Sequence, residues 1–275
     1  MTPDEITEQF TLSVVREVGS TLIPLCRKDK AGIRHIVGTG FVIQLFERFY
    51  LVTARHVNDR RPVVSGVPLS DFLEYAVGPV DWMSVSDIAT VSTHPLIKVG
   101  LSNLESDIVV FKLHSSFEPT KHMPWGKKTI GYGALLPTRM RRDTAEYIYG
   151  GLPASKNEAR GSDEPARRPA HYMFLGASPP MEDYQKLGAN FETHLLLKFD
   201  RVGNVGTLEK GQIFPGPKGM SGGPIFLYRT EEVREKNIGL VAVGIHTLNK
   251  EKFLVGTDIA LVMVAIEELS KATNV

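Results

Sequence analysis

The amino-acid sequence predicts a mainly β protein with a helix at each end of the chain. Two groups of short runs rich in Val, Ile, Leu and Phe, separated by charged or glycine-containing turns, are typical of β-strands. A helix-capping pattern at the start and helical spacing of apolar residues at the end indicate the two helices. At 275 residues, the chain is long enough to bury a sizeable core in one large domain or two modest ones.

Residues 1–19 are predicted to form an N-terminal helical segment. Thr2 can cap the helix, Pro3 suits its first position and Glu5 completes a capping-box spacing. The same stretch is acidic and polar, and it lacks the basic and apolar regions of a signal peptide. We therefore expect a helix here and no secretory leader.

The β-type runs fall into two predicted domains, residues 20–120 and residues 121–275. The runs of the first domain are TLIPLC, HIVGTGFVIQLF, FYLVTA and DIVVFKL. Those of the second are HLLLKFD, GQIF, GPIFLY, GLVAVGIHT and KFLVGTD. Helical spacing returns in IALVMVAIEELSK, so the second domain is predicted to end in a helix from about Ile259 to Lys271.

One segment of the second domain, residues 139–186, differs in composition. It contains RMRRD, NEARGSDEPARRPA and ASPPMEDYQK, with few apolar runs between them. We interpret much of it as a long polar insertion that forms a surface loop. The composition near residues 153–180 also predicts mobility and ready cleavage by an added protease.

Charge and cysteine content restrict the class of partner and the compartment. The 32 basic and 31 acidic side chains give a formal net charge of +1, which provides no electrostatic argument for nucleic acid or an anionic membrane as a partner. Cys26 is the only cysteine, so an intrachain disulfide is impossible and a reducing compartment is favoured. The longest apolar runs, such as 259–266, are far too short to span a membrane. We expect a cytoplasmic protein.

The stretch GMSGGP, residues 219–224, places one hydroxyl among three glycines and a proline. Such a stretch can be an ordinary tight turn, since Gly and Pro are common in turns. It can also hold a nucleophile, Ser221, on a turn whose N–H groups point at a reacting oxygen. A serine nucleophile needs a nearby base, a group that orients the base, and donors for the oxyanion.

A histidine and an aspartate elsewhere in the chain suit those roles. His56 follows the apolar run FYLVTA, so a buried strand would fix the position of its ring. Asp107 opens the strongly apolar run DIVVFKL, which allows a rigid placement. Asp87 in SDIAT is the rival carboxylate, with a weaker strand after it.

These motifs occur in the order of a known family. GTGFVI with LVTARHV, then SDIVVFKL, then GMSGGPIF followed by GLVAVGIHT resembles the trypsin-like (chymotrypsin-fold) serine peptidases. The resemblance implies two six-stranded antiparallel β-barrels, with His56 and Asp107 in the first and Ser221 in the second. It also implies that Ser221 attacks the scissile carbonyl, His56 transfers the proton and Asp107 orients the imidazole. It implies no metal and no organic cofactor.

The resemblance further implies an oxyanion hole made by the backbone N–H groups of Gly219 and Ser221. Glycine at the first position allows a peptide orientation that a Cβ would obstruct. The chain has no visible propeptide boundary of the digestive-enzyme kind. We therefore expect the hole to form either constitutively or through an activating protein partner.

Three residues are expected at the substrate pocket: Pro215, His246 and Thr247. Pro215 stands six residues before the serine, where a trypsin-type enzyme carries an aspartate, so a basic P1 residue is not expected. His246 lies in GIHT, on the strand that forms one wall of the S1 pocket in the family. Glutamyl endopeptidases and picornavirus-type 3C proteases are similar here and use such a histidine to contact a P1 Glu or Gln. Their usual Thr or Ser is Gly216 in this chain, so a histidine merely packed beside the pocket is the alternative.

The sequence thus predicts an intracellular serine endopeptidase acting on a protein or peptide substrate. A catalytically silent trypsin-fold module that binds peptides or proteins is the first alternative. The second is a hydrolase with a Gly-x-Ser-x-Gly elbow, which requires a helix after the serine and a histidine later in the chain. Because GPIFLY after Ser221 has the pattern of a strand, the second alternative is disfavoured.

Overall fold

Two curled β-sheets form the body of the protein, and helices lie at both ends of the chain. The computed structural model describes residues 3–59, 63–64, 67–68, 74–76, 82–85, 89–93, 107–123, 126–136, 146–157, 169–199, 215–228, 238–248, 250 and 252–272. The prediction of a mainly β protein with terminal helices is confirmed. The predicted run GQIF lies outside the described residues.

The first sheet has the strand order β7-β6-β1-β2-β3-β9-β8, with β10 added beside β2. Its strands are β1 (Ile23–Lys28), β2 (Arg34–Leu45), β3 (Arg48–Ala54), β6 (Glu74–Ala76), β7 (Trp82–Ser84), β8 (Ala89–Thr93), β9 (Ile108–Leu113) and β10 (Ile130–Gly131). A separate pair, β4 (Val63–Val64) and β5 (Val67–Pro68), forms a small ladder. In the described residues this sheet has eight strands, one of which, β10, joins it in parallel from the part of the chain assigned to the second domain.

The central strands of the first sheet bury large apolar side chains. β2 pairs with β3, and β3 pairs with β9, both antiparallel. Phe41, Val52, Ile108 and Val110 all have 0% exposure, as expected for strands rich in β-branched and aromatic residues. Because β3 leads to His56 and β9 follows Asp107, the pairing of these strands brings the two residues together.

The second sheet has six antiparallel strands in the described residues, in the order β12-β11-β14-β15-β16-β13. They are β11 (Glu146–Gly151), β12 (Tyr172–Ala177), β13 (His194–Lys198), β14 (Pro224–Tyr228), β15 (Gly239–Leu248) and β16 (Phe253–Asp258). Leu195, Leu197 and Ile225 are fully buried in its core. β14 follows the serine turn directly, in agreement with the strand pattern of GPIFLY.

The described residues also form helices, at both ends of the chain and between strands. They are α1 (Pro3–Thr21), α2 (Arg55–Asp59), α3 (Pro119–His122), α4 (Met181–Lys186) and α5 (Ile259–Ala272). Val14 and Val18 of α1 are buried, and α1 lies against β11 and β12. α5 contacts β8 and β9 of the first sheet and β15 and β16 of the second. Its buried Val262 and Ala265 therefore help to hold the two sheets together.

The expected long loop at residues 139–186 is interrupted by regular structure. β11, β12 and α4 lie within it, and β11 pairs with both β12 and β14. The strands YIYGG and YMFLGA are short runs with charged residues around them. Their few apolar residues therefore do not change the polar composition of the segment as a whole. The polar run 158–168 lies outside the described residues. On either side of it, the Asn157 side chain donates to the Ala170 carbonyl at 3.0 Å and accepts from the Ala170 N–H at 2.8 Å.

In the part of the chain that the structure describes, no helix is both long enough and apolar enough to cross a membrane.

Candidate active site

His56 lies at the junction between β3 and the short helix α2. The strand residues before it, from Tyr50 to Ala54, are buried, so the scaffold fixes the point at which the helix begins. The His56 side chain itself retains 20% exposure. A strand end that turns into a helix thus places an accessible imidazole on a rigid base.

Asp107 immediately precedes β9 and contacts His56 in two ways. Its Oδ2 contacts Nδ1 of the His56 ring, and its Oδ1 accepts a hydrogen bond from the His56 backbone N–H at 2.9 Å. Its backbone carbonyl also accepts from the Arg55 N–H at 2.9 Å. Since Nδ1 faces the carboxylate, Nε2 on the far side of the ring is directed away from Asp107. Asp87, the rival carboxylate, lies outside the described residues.

The serine turn is held by hydrogen bonds on both sides of Ser221. The Gly222 N–H donates to the Gly244 carbonyl at 2.7 Å, and the Gly223 N–H donates to the Met220 carbonyl at 3.0 Å. The Ser221 carbonyl accepts from the Thr39 N–H at 2.8 Å. The turn is therefore tied to β15 of its own sheet and to β2 of the first sheet.

The carbonyl groups of the peptide units that precede Gly219 and Ser221 each accept a hydrogen bond. The Lys218 carbonyl accepts from the Ala154 N–H at 2.8 Å, and the Met220 carbonyl accepts from the Tyr149 hydroxyl at 2.6 Å. Burial raises the pKa of Tyr149, so its hydroxyl stays protonated and able to donate. In a trans peptide the N–H points opposite to the C=O. The N–H groups of Gly219 and Ser221 are therefore turned away from those anchors, and neither donates to another of the described residues.

The serine turn packs directly on the strand that leads to His56. A Cβ built on Gly222 would lie 2.1 Å from the Thr39 carbonyl oxygen, 2.1 Å from Thr53 Oγ1 and 2.8 Å from the Ala54 nitrogen. Ala54 is two residues before His56. Within the described residues, no hydrogen bond joins Ser221 Oγ to the His56 ring. In enzymes, the hydrogen bond between a nucleophile and its base is often long before a substrate binds.

Replacing Gly222 with alanine is expected to destabilise the protein more than the same change at Gly188. Both glycines have positive φ, +89° and +63°, but an added Cβ at Gly188 meets nothing within 4 Å. Gly188→Ala should lower the free energy of unfolding by about 1–2 kcal/mol through backbone strain. Gly222→Ala adds a steric effect of about 1–3 kcal/mol. Chemical denaturation of both variants measures the difference, and equal losses would argue against the close packing at Gly222.

The three residues expected at the substrate pocket lie in different environments. Pro215 is buried before the serine turn, Thr247 is half-buried and His246 is exposed on β15. The rings of His246 and His56 have centroids 6.2 Å apart, at an interplanar angle of 69°. An irregularity in the pairing of β15 with β16 between Gly244 and His246 accounts for the direction of His246, since a bulge re-aims side chains. His246 therefore lies beside the His56 ring, and its role in a pocket stays a prediction.

Thr39 is a part of the site that sequence reasoning missed. It is fully buried in β2, and its Oγ1 donates to the Gly219 carbonyl at 2.9 Å while accepting from the Leu152 N–H at 3.1 Å. Together with its N–H bond to Ser221, these contacts join the first sheet to the serine turn. The only signal in the sequence is its position between the two glycines of GTG.

Among the described residues, His, Cys, Asp and Glu form no group of three or more that could hold a metal ion. Cys26 is buried in β1, and burial raises the pKa of its thiol, which leaves it protonated and unreactive.

Comparison with known proteins identifies the fold. No protein-family model matches the chain, and no curated protein matches it. Among solved structures, 258 chains match. One is the VesB protease of Vibrio cholerae, with a TM-score of 0.50 and 13% identity. The match covers 93% of this chain and 64% of that one. The chain therefore spans less than two thirds of the length of the VesB protease. The likeness shows a chymotrypsin-like fold.

Proposed function

We propose that the protein is a serine endopeptidase that uses Ser221 as nucleophile, His56 as base and Asp107 as the group that orients the base. The observation that carries this proposal is the pairing of the His56 ring with Asp107 at the end of the strand on which the serine turn packs. The N–H groups of Gly219 and Ser221, which donate to no other described residue, support it further. A base, an orienting carboxylate and oxyanion donors are the parts that a serine nucleophile needs.

The proposed reaction follows from the roles of these groups. Ser221 Oγ attacks the scissile carbonyl carbon and transfers its proton to Nε2 of His56. Asp107 keeps the proton of His56 on Nδ1 and stabilises the imidazolium that forms. The leaving amine then takes the proton from Nε2 as the C–N bond breaks and an acyl-enzyme ester remains. A water molecule, deprotonated by Nε2, hydrolyses that ester and restores the Ser221 hydroxyl.

The N–H groups of Gly219 and Ser221 are proposed to stabilise the oxyanion in both tetrahedral intermediates. The acceptors that fix the two peptide units, the carbonyls of Lys218 and Met220, bond to Ala154 and Tyr149 of the same chain. This intramolecular anchoring supports a constitutive oxyanion hole over one that needs an activating partner. One donor in such a hole contributes about 10²–10³-fold to turnover.

A catalytically silent module that binds peptides or proteins is the alternative function. The observation that favours it is the lack, within the described residues, of a hydrogen bond between Ser221 Oγ and the His56 ring. Detectable hydrolysis that depends on Ser221 would exclude this alternative.

For the compartment, the single buried cysteine supports the proposal of a reducing, cytoplasmic environment.

The substrate is proposed to be a peptide with a non-basic P1 residue. Pro215 offers no carboxylate where trypsin-type enzymes pair with Lys or Arg, and an unpaired charge in a closed pocket costs several kcal/mol. The position of His246 beside His56 supports a hydrogen bond to the side chain of a P1 Glu or Gln. If the ring points away from the substrate, an apolar P1 residue is preferred.

Digestion of a peptide library, analysed by mass spectrometry, tests both the activity and the P1 preference. The wild-type protein is expected to cleave after Glu or Gln, and His246→Leu should reduce that preference about tenfold or more by removing the hydrogen bond. His114→Leu is the matched control, because His114 is exposed at the opposite end of β9 from Asp107. Dominant cleavage after Lys or Arg would refute the specificity proposal, and no cleavage of any peptide would argue against the endopeptidase.

A further inference from the structure

The helix that carries His56, α2, is too short to be stable without contacts to the rest of the protein. α2 contains five residues, Arg55–Asp59, whereas isolated helices need about 12–15 residues to be even marginally stable in water. Its backbone groups at both ends must find partners outside the helix. The geometry of the His56 ring therefore depends on the contacts that fix α2.

Asp107 fixes the first turn of α2. Its carbonyl and carboxylate accept the N–H groups of Arg55 and His56, each at 2.9 Å. The middle of the helix packs on β2 through Val57, which is 3% exposed. A Cβ built on Gly38 would lie 2.4 Å from Val57 Cγ1, so the helix and the strand are in close contact there.

A buried cation reaches the other end of the helix. Arg27 projects from β1 with 1% exposure, and its Nη2 donates to the carbonyls of Val57 at 3.2 Å and Asn58 at 2.5 Å. The carbonyls at a helix C-terminus carry partial negative charge, which favours a cation there. A guanidinium presents several donors in a fixed planar arrangement, so it can hold two neighbouring carbonyls at once.

We propose that Arg27 is a positioning residue for His56, acting through α2. With Asp107 at the first turn and Arg27 at the last, the helix cannot tilt or slide without breaking a hydrogen bond at one end. The distance and angle between the His56 ring and Ser221 are then fixed before a substrate binds. The catalytic consequence rests on the proposed endopeptidase function, but the control over the His56 ring does not.

Arg27→Met and Arg27→Lys test this role. Methionine keeps much of the length and volume but has no donor, and lysine keeps the charge with a different donor geometry. Because a displacement of about 1 Å can lower turnover by about 10²-fold, kcat is expected to fall about 100-fold in Arg27→Met and about tenfold in Arg27→Lys. KM should change little, since Arg27 is buried away from solvent and substrate.

Lys127→Met is the matched control. Lys127 is also a buried cation, 8% exposed, and its Nζ donates at 2.6 Å to the Gly19 carbonyl in the last turn of α1. Losing that contact should reduce stability in a similar way without moving α2. A fall in kcat as large as that of Arg27→Met would show that any buried cation has the same effect, and the positioning role would be wrong.

A proton NMR measurement reads the His56 ring without requiring activity. The proton shared by His56 Nδ1 and Asp107 is expected to give a far-downfield resonance in the wild type. This resonance should shift or broaden in both Arg27 variants and stay unchanged in Lys127→Met. If Arg27→Met does not fold, Arg27→Lys decides: wild-type kcat with an unchanged resonance would overturn the proposal. If the wild type hydrolyses no peptide, the endopeptidase proposal fails, yet the resonance still tests Arg27.

Discussion

Ser221→Ala is expected to abolish peptide cleavage, with a fall in kcat of about 10⁴-fold or more. The change removes only Oγ, the atom proposed to attack the scissile carbonyl. The structural contact of Ser221 uses its backbone carbonyl, which accepts from the Thr39 N–H at 2.8 Å and is retained by alanine. The midpoint of thermal unfolding should therefore stay close to that of the wild type. Cleavage of a preferred peptide and a thermal melt on the same preparation measure both effects.

Ser178→Ala provides the control for that experiment. Its Oγ forms a hydrogen bond with the Tyr184 hydroxyl at 2.9 Å, so the change removes a serine hydroxyl that has a structural contact and lies outside the serine turn. Turnover should persist in this variant. Undiminished cleavage by Ser221→Ala would show that Ser221 is not the nucleophile.

Asp107→Asn is expected to lower kcat by about 10⁴-fold. The asparagine amide keeps the shape of the carboxylate, and its oxygen can still accept from the His56 N–H, so the fold should be retained. With its oxygen accepting from the backbone N–H, the amide presents its NH2 group to Nδ1 of the ring, so it donates there where the carboxylate accepted. The imidazole then adopts the tautomer with the proton on Nε2, which cannot take the proton of Ser221. Steady-state kinetics with a peptide substrate measure the loss.

Two other aspartates serve as controls for Asp107. Asp29→Asn disrupts another Asp–His pair, in which the hydrogen bond from His35 at 3.0 Å lowers the pKa of Asp29. It should leave turnover nearly unchanged. Asp87→Asn tests the rival carboxylate directly and is also expected to have little effect. A larger loss in Asp87→Asn than in Asp107→Asn would mean that the wrong carboxylate was assigned to His56.

The fold was largely predictable because its signals are local. The apolar runs around β2, β3, β9, β14 and β15 and the helical spacing of α5 can each be identified within about ten residues. The strands β11 and β12 were missed because each is a short run within a charged and proline-containing segment. β10 contains only two residues, Ile130 and Gly131, and a parallel pairing of that length has no distinctive pattern in the sequence.

The hydrogen bonds that position the candidate site join residues that are far apart in the sequence. Thr39 bonds to Gly219 across 180 positions, and Arg27 bonds to Val57 across 30 positions. No periodicity or motif indicates such pairs, since they arise from how the sheets pack. The motif order predicted His56, Asp107 and Ser221 as a set, whereas the direction of the N–H groups at Gly219 and Ser221 is set by Ala154 and Tyr149. Those anchors could only be identified in the folded chain.

The most direct test of the central claim is whether Ser221 is an activated nucleophile. A fluorophosphonate probe reacts with a serine hydroxyl that a neighbouring base activates, and peptide mapping by mass spectrometry identifies the modified residue. The proposed mechanism predicts one adduct, on Ser221, with labelling lost in Ser221→Ala and strongly reduced in Asp107→Asn. An unlabelled wild-type protein, or an adduct on a different serine, would contradict it.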